Sequence, residues 1–319
     1  MQFDIIINEA SKTGEGASRY DEVRWILREN KMQYRVHRTL YAGHATVIAR
    51  ELCSSPDKAV NIIVVGGDGT LNEVVNGITD FEKVRVGLIP NGSANDFAAG
   101  VHISSDVEKE IKAMIANADD PGSVDIGQVS YREGTRTRSR LFCISSGLGI
   151  DAMVCKKAST TGLKAFLNKI GLGKLTYVLL TVYSLVSVET ADAVIEGIAD
   201  DGSTMPREEI KNVYFSAAMN LRCEGGGVPM APRAGASDRT LTLCCAHGIP
   251  KWRAFLCFPF LLTGKQSFFK CFDTRRFREL KIRLSKPVTL HADGEYCGEV
   301  NRAAFKILPG RLLFLNDIV

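Results

Sequence analysis

The stretch "VNIIVVGGDGTLNEVVNGI" (60–78) restricts the fold more than any other part of the chain. Val60 to Val65 is a β-branched run interrupted only by Asn61, too continuous for a strand with one face in water. It stops on Gly66 and Gly67. Leu71, Val74, Val75 and Ile78 then recur on one helical face. A buried strand that turns at once into a helix is half of a parallel βαβ unit. The same order repeats around it. "FDIIIN" (3–8) reads as a strand and "RYDEVRWILREN" as a helix, with Val23, Ile26 and Leu27 on its apolar face. "VRVGLIP" (84–90) is a third strand and "DVEKEIKAMIAN" a further helix. Alternation to about residue 120 predicts a parallel sheet covered on both faces.

Beyond "PGSVDIG" the texture changes. Short runs such as "RLFCISSGLGI", "ADAVIEGIAD", "KNVYFSAAM", "RTLTLCCAH", "LKIRLSKPVTLHAD" and "AAFKILPGRLLFLN" are separated by Gly, Asp and Pro. They predict an antiparallel β domain, interrupted by helical segments near 163–188 and 251–263. A length of 319 residues suits two domains. The boundary falls near Asp125–Gly127. This gives an α/β domain over 1–127, with 305–319 a candidate to complete it, and a β-rich domain over 128–304.

The composition, 45% hydrophobic and 24% charged, is that of a folded protein. A net charge of +4 argues neither for nor against nucleic acid, but the charge is uneven. Lys251 to Lys286 holds ten Lys/Arg against Asp273 and Glu279, which suits an anionic surface. Nine cysteines without CxxC spacing point to reduced thiols and a cytoplasmic setting. "CCAH" (244–247) has no second half that would complete a zinc site. "MQFDIIIN" does not read as a signal peptide. The longest uncharged run, "LTYVLLTVYSLVSV" (175–188), has 14 residues, short of the roughly 20 that span a bilayer.

The turn after the second of these strands carries the chemistry. Ligands of open α/β sheets bind beyond the carboxyl ends of the strands. Three glycines there, Gly66, Gly67 and Gly69, allow positive φ and close approach of a ligand to the backbone. Thr70 with Glu73 reads as a capping box, and a helix N-terminus attracts anions. Asp68 would repel a phosphate unless a divalent cation lay between them, so the pattern suggests metal-bridged phosphate. The plain alternative is a tight turn with a solvated Asp. There is no G-x-x-x-x-G-K-[ST] and no G-x-G-x-x-G after the first strand. "LIPNGSANDFA" (88–98) repeats the logic with Gly92, Ser93, Asn95 and Asp96, although Ser93 with Asp96 is also a capping pattern.

"GGDGTLNEVVNGI" (66–78) with "PNGSANDFA" (90–98) resembles the diacylglycerol kinase catalytic family, in its soluble bacterial lipid kinase branch. Sphingosine and ceramide kinases are related, and the first motif is shared with NAD kinases. "VDIG" (124–127), "FCISSGLGIDAMV" (142–154), "GGGVPMAPRAGASDRTLTL" (225–243) and "HADGEYCG" (291–298) extend the likeness over nearly the whole chain. The resemblance implies an N-terminal α/β nucleotide-binding domain with a parallel sheet and a β-sandwich-like second domain, the active site lying in the cleft between them. It implies transfer of the γ-phosphoryl group of ATP to a lipid hydroxyl, with Mg²⁺ and with diacylglycerol as the default acceptor.

On matching positions, Gly66, Gly67, Asp68, Gly69 and Thr70 would hold the ATP phosphates and Mg²⁺, with Glu73 beside them. Gly92, Ser93, Asn95 and Asp96 would complete that site, and Asn8, Ser11 and Lys12 would approach the nucleotide. Glu295 sits at the family's general base, where Asp-Gly before it is otherwise a hairpin signal. Asp238 falls on the structural magnesium site with Asp125 linked to it, and Arg239 stands where the family has glycine. The expected partner is a lipid at a membrane surface, met by a cytoplasmic, peripherally associated protein. The apolar 175–188 run and "KWRAFLCFPFLLTGKQSFFKCF" are candidates for lining the lipid site, or are core helices. No nucleic-acid partner is expected, and a homodimer is left open. The rival readings are an NAD kinase-like enzyme and a non-catalytic lipid-binding protein on the same fold.

Overall fold

The computed structural model describes residues 2–9, 16–55, 59–150, 152–153, 185 and 188–318. Ser11, Lys12 and, but for Leu185 and Val188, the apolar segment 163–188 lie outside them. The chain divides into two compact units, Met1–Asp125 with Gly310–Val319, and Ile126–Pro309.

The first unit runs β1 (Gln2–Ile7), α1 (Gly16–Glu29), β2 (Gln33–Arg38), α2 (His44–Cys53), β3 (Val60–Gly66), α3 (Asp68–Gly77), β4 (Val84–Pro90), α4 (Asp96–Gly100) and α5 (Val107–Ala116). Its strands are parallel in the order β2-β1-β3-β4. The returning chain adds a further parallel pairing of Leu313 and Phe314 with Arg85 and Val86 of β4. α1 and α5 cover one face, packing on Phe3, Ile5, Ile7, Ile63 and Val65. Ile6, Ile62 and Val64 point the other way and are equally buried. That two-sided cover is why β3 is apolar throughout and does not alternate. Asn316 fastens the C-terminal segment: its side chain pairs with the Leu88 N–H (2.8 Å) and carbonyl (3.1 Å).

The edge strand β2, "QYRVHR", alternates polar residues with the half-buried Tyr34 and Val36, a short strand pattern that sequence reasoning left out. It is held by Asp4. The buried Asp4 carboxylate takes a bidentate pair from Arg35 (2.8 and 2.9 Å) and lies 2.8 Å from His37 Nε2.

The second unit is antiparallel. Its strands are β5 (Gly122–Glu133), which starts in the first unit, β6 (Arg136–Phe142), β7 (Ser145–Gly149), β8 (Ala191–Ala199), β9 (Thr204–Val213), β10 (Phe215–Met219), β11 (Leu241–Ala246), β12 (Phe272–Asp273), β13 (Arg276–Ala292) and β14 (Glu295–Phe314). The two longest, β13 and β14, form a hairpin; β13 also pairs with β7, β8 and β11. One core collects Phe142, Leu148, Leu241, Phe277, Leu290 and Phe305. A second lies on the other side of β10 and β11, where Phe215, Met219 and Cys244 meet Leu261 of α6 (Lys251–Leu262). With a core on each side, β7, β10 and β11 are buried at every position.

Burial alone would raise the Asp4 pKa, but the bonds from His37 and Arg35 outweigh it and hold it below the usual carboxylate range. A lowered folded value stabilises fully above the unfolded pKa, about 3.9, and the contribution is lost as pH falls through the folded value. Asp4→Asn is expected to lower the unfolding free energy at neutral pH by about 2 kcal/mol and to flatten the acid limb of the stability curve. Urea unfolding between pH 3 and 7 measures both.

Candidate active site

β1, β3 and β4 end side by side, so Asn8, Gly66 and Pro90 share the carboxyl edge of the sheet. Two turns leave that edge, and they interlock. The Asn91 N–H donates to the Gly66 carbonyl at 2.8 Å. A Cβ built on Gly67 would stand 2.8 Å from the Gly92 Cα, and one on Gly92 would stand 2.6 Å from the Gly67 Cα. Gly67 has φ −98°, and neither it nor Gly66, Gly69 or Gly92 adopts positive φ. The expectation of left-handed glycines is therefore corrected. These two glycines let backbone pass backbone, and Asn95, with φ 54°, takes the left-handed position instead. Its Oδ1 accepts from the Gly92 N–H at 2.7 Å, the local bond that suits Asn to this conformation.

Asp68 couples the turns. Its carboxylate accepts the Asp96 N–H (3.0 Å) and the Phe97 N–H (3.1 Å), so it caps α4 from the neighbouring turn. Ser93 is exposed and is not the cap of α4; that position belongs to Asn95. The capping-box expectation for Thr70 and Glu73 is likewise overturned. α3 starts at Asp68 with Gly67 as its cap, which puts Thr70 inside the first turn. The Thr70 hydroxyl instead lies 3.4 Å from Asn8 Nδ2. Glu73 caps α2, its two oxygens accepting the Gly43 N–H (2.8 Å) and the Ala45 N–H (3.1 Å).

The structure thus brings Asn8, Gly66, Gly67, Asp68, Thr70, Gly92, Asn95 and the buried Asp96 to one edge, while Glu73 serves the neighbouring helix. Gly69 lies in the first turn of α3, whose leading N–H groups have no intrahelical partner. The remaining expected metal ligands are engaged elsewhere. Asp125 accepts the Gly310 N–H at 2.6 Å. Asp238 accepts from the Gly235 N–H (3.2 Å) and from the Thr240 N–H and hydroxyl (3.0 and 2.9 Å), and Arg276 Nη2 lies 3.2 Å away. Arg239 keeps the tight turn without glycine, at φ 62°. Among the described residues no three His, Cys, Asp or Glu side chains gather as a metal cage.

Glu295 is exposed at the start of β14, next to a two-residue turn in which Asp293 (φ 48°) and Gly294 (φ 82°) are both left-handed. The residue that fixes this turn is Asp293, which sequence reasoning passed over. Its carboxylate accepts three successive N–H groups, from Cys143 (2.7 Å), Ile144 (2.8 Å) and Ser145 (3.0 Å). The buried His291 accepts the Gly294 N–H on Nδ1 at 3.1 Å. The place of Asp293 directly before Gly-Glu was the available signal.

The family model of the diacylglycerol kinase catalytic domain matches residues 2–129, and that of the YegS C-terminal NAD kinase beta sandwich-like domain matches residues 144–316. The chain belongs to the diacylglycerol kinase catalytic family. Within this lipid kinase family it is 26% identical over 296 residues to the Bacillus subtilis (strain 168) protein named "Putative lipid kinase YtlR", covering 92% of this chain and 93% of that one. It is 27% identical over 281 residues to a diacylglycerol kinase of the same organism, covering 88% and 82%. A crystal structure of a diacylglycerol kinase from Bacillus anthracis str. Sterne has the same fold, with a TM-score of 0.66 at 16% identity and coverage of 100% and 98%.

Because φ at Gly67 suits any residue, Gly67→Ala acts only through the clash with Gly92. It is expected to cost about 1–3 kcal/mol, read from the urea midpoint. Glu73→Ala, which strips α2 of its cap, is expected to cost about 1–2 kcal/mol in the same assay.

Proposed function

We propose that the chain transfers the γ-phosphoryl group of ATP to the hydroxyl of a lipid, with diacylglycerol as the first acceptor to test. The observation that carries the reading is the pair of interlocked turns at the carboxyl edge of the parallel sheet. They combine closely approached backbone, the first turn of α3 and two carboxylates in one place. Phosphoryl transfer asks the protein mainly for positioning and for stabilisation of charge, which such an edge can supply.

Asp68 and Asp96 would hold Mg²⁺. A cation that keeps several waters and shares phosphate oxygens needs only one or two protein carboxylates, so this donor set fits it without a closed cage. Bound there, the ion would neutralise charge on the phosphate oxygens. Asn8, Thr70, Ser93 and Asn95 offer polar groups to the nucleotide. Glu295 is the proposed general base for the acceptor hydroxyl, and Asp293 is its positioning residue, since three N–H bonds fix the turn that precedes it.

A lipid acceptor calls for contact with a membrane surface. Among the described residues no helix is long and apolar enough to cross one. α6 instead presents a stripe to solvent: Trp252, Leu256 and Phe260, at successive intervals of four, are 60%, 63% and 41% exposed, and Phe268 beyond them is 80% exposed. Lys251 and Arg253 flank the first of these. Aromatic and basic residues on one exposed helical face suit shallow insertion among headgroups, which supports peripheral association.

The test is label transfer from [γ-³²P]ATP with Mg²⁺ into a panel of hydroxyl lipids in mixed micelles. Wild type is expected to label one lipid class. Glu295→Gln is expected to lower kcat about 100-fold or more with little change in the KM for ATP. Asp293→Ala should lower kcat while leaving that KM alone. Label entering NAD, or no acceptor at all, would overturn the proposal.

A further inference from the structure

The second unit carries a concavity of about 330 Å³ on strands β5, β6, β8, β9, β13 and β14, and none of the residues assigned above lines it. Arg132, Arg207, Lys281, Arg283 and Arg302 line it, and Glu196 is its single acid. All six side chains are exposed. The five cations form no ion pair or side-chain hydrogen bond with any described residue, which sets them apart from Arg275, Lys286 and Lys306 nearby in sequence, each paired at 2.7–2.9 Å.

The strand register sharpens the point. Arg283 of β13 stands directly opposite Arg302 of β14, and Lys281, two residues along, projects from the same face as Arg283. Like charges set opposite each other destabilise a sheet unless something neutralises them. Glu196 stands opposite Lys281 and makes no ion pair with it, so the excess of positive charge is left to the solvent or to a ligand. Ile282 and Ala303, paired across β13 and β14, send their side chains into the buried core on the opposite face, which anchors the strands that carry the cations.

We propose that this concavity is a docking surface for the headgroups of anionic phospholipids in a bilayer. The chemistry it recognises is clustered phosphate negative charge. A site for a small free anion would gather buried donors around one point, whereas these donors are exposed and spread over four strands. That layout matches a charged plane, towards which each basic side chain adds attraction. The proposal rests on the lipid-surface reading above, and its readout is binding without turnover, so the two fail separately.

The experiment is co-sedimentation of the full chain with vesicles of phosphatidylcholine alone or with about 30 mol% phosphatidylglycerol. Wild type is expected to prefer the anionic vesicles about tenfold or more, and to lose the preference as salt rises. Lys281→Gln with Arg283→Gln should remove most of that preference, leave binding to neutral vesicles unchanged and spare phosphorylation of a short-chain, micelle-free acceptor. Arg132→Gln with Arg207→Gln, on other strands, is an independent second variant should the first fail to fold by circular dichroism. Equal binding of wild type to both vesicles, or a full preference in both variants, would overturn the proposal. So would displacement by millimolar inorganic phosphate at constant ionic strength, or binding of a single-stranded RNA oligonucleotide that leaves vesicles unbound.

Discussion

The candidate site depends on the Asp68 carboxylate more than on any other group. A carboxylate that accepts two backbone N–H groups is worth about 1.5–3 kcal/mol per bond, because one partner is charged. Here both bonds cross from one turn to the next, to Asp96 and Phe97. They orient α4, which is five residues long and could not persist alone. They also hold Asp96 buried at the sheet edge, and the contact of Gly67 with Gly92 is possible only while the turns stay together. A carboxylate in this position is doubly constrained: any ligand it binds must share it with the α4 backbone.

Glu73 extends the same principle one layer outward. α2 begins at a left-handed Gly43 and has no side chain of its own as a cap. Its leading N–H groups are satisfied from α3, while the Thr46 hydroxyl returns a bond of 2.8 Å to the Glu73 carbonyl. The helix that starts at Asp68 is thus pinned on its far side by α2, and the sheet edge, α3 and α2 form one hydrogen-bonded assembly.

What the sequence made legible follows from this. β1, β3 and β4 could be read because burial on both faces forces continuous apolar runs, and α1, α3 and α5 because their apolar stripes keep a helical period. β2 escaped because an edge strand with Arg35 and His37 facing Asp4 offers only Tyr34 and Val36, both half-buried, as its apolar alternation. The two glycine turns were visible as a site, but their wiring was not. Asp68 bonds residues 28 and 29 positions away, Glu73 residues 28 and 30 away, and Asp293 residues 148 to 150 away. Capping rules look three or four residues ahead, so they assigned Glu73 and Ser93 to their own helices. The Asp-Gly turn before Glu295 was plain in the sequence, but the three N–H groups that fix it come from the β6–β7 connection and the first residue of β7, which no local rule places there.

Asp238 shows how a change of one residue type can be absorbed. A non-glycine residue in the left-handed region costs on the order of 1 kcal/mol, and Arg239 adopts it at φ 62°. The cost is offset locally, since the Asp238 carboxylate closes the loop on Gly235 and Thr240 and faces the Arg276 guanidinium. Arg276 also donates to the Thr240 hydroxyl at 3.0 Å, so one cation fixes both ends of the Asp238–Thr240 turn. A loop closed by its own hydrogen bonds and an internal guanidinium holds its shape through covalently tethered partners. Its geometry is therefore tied to the packing of β13, where Arg276 resides.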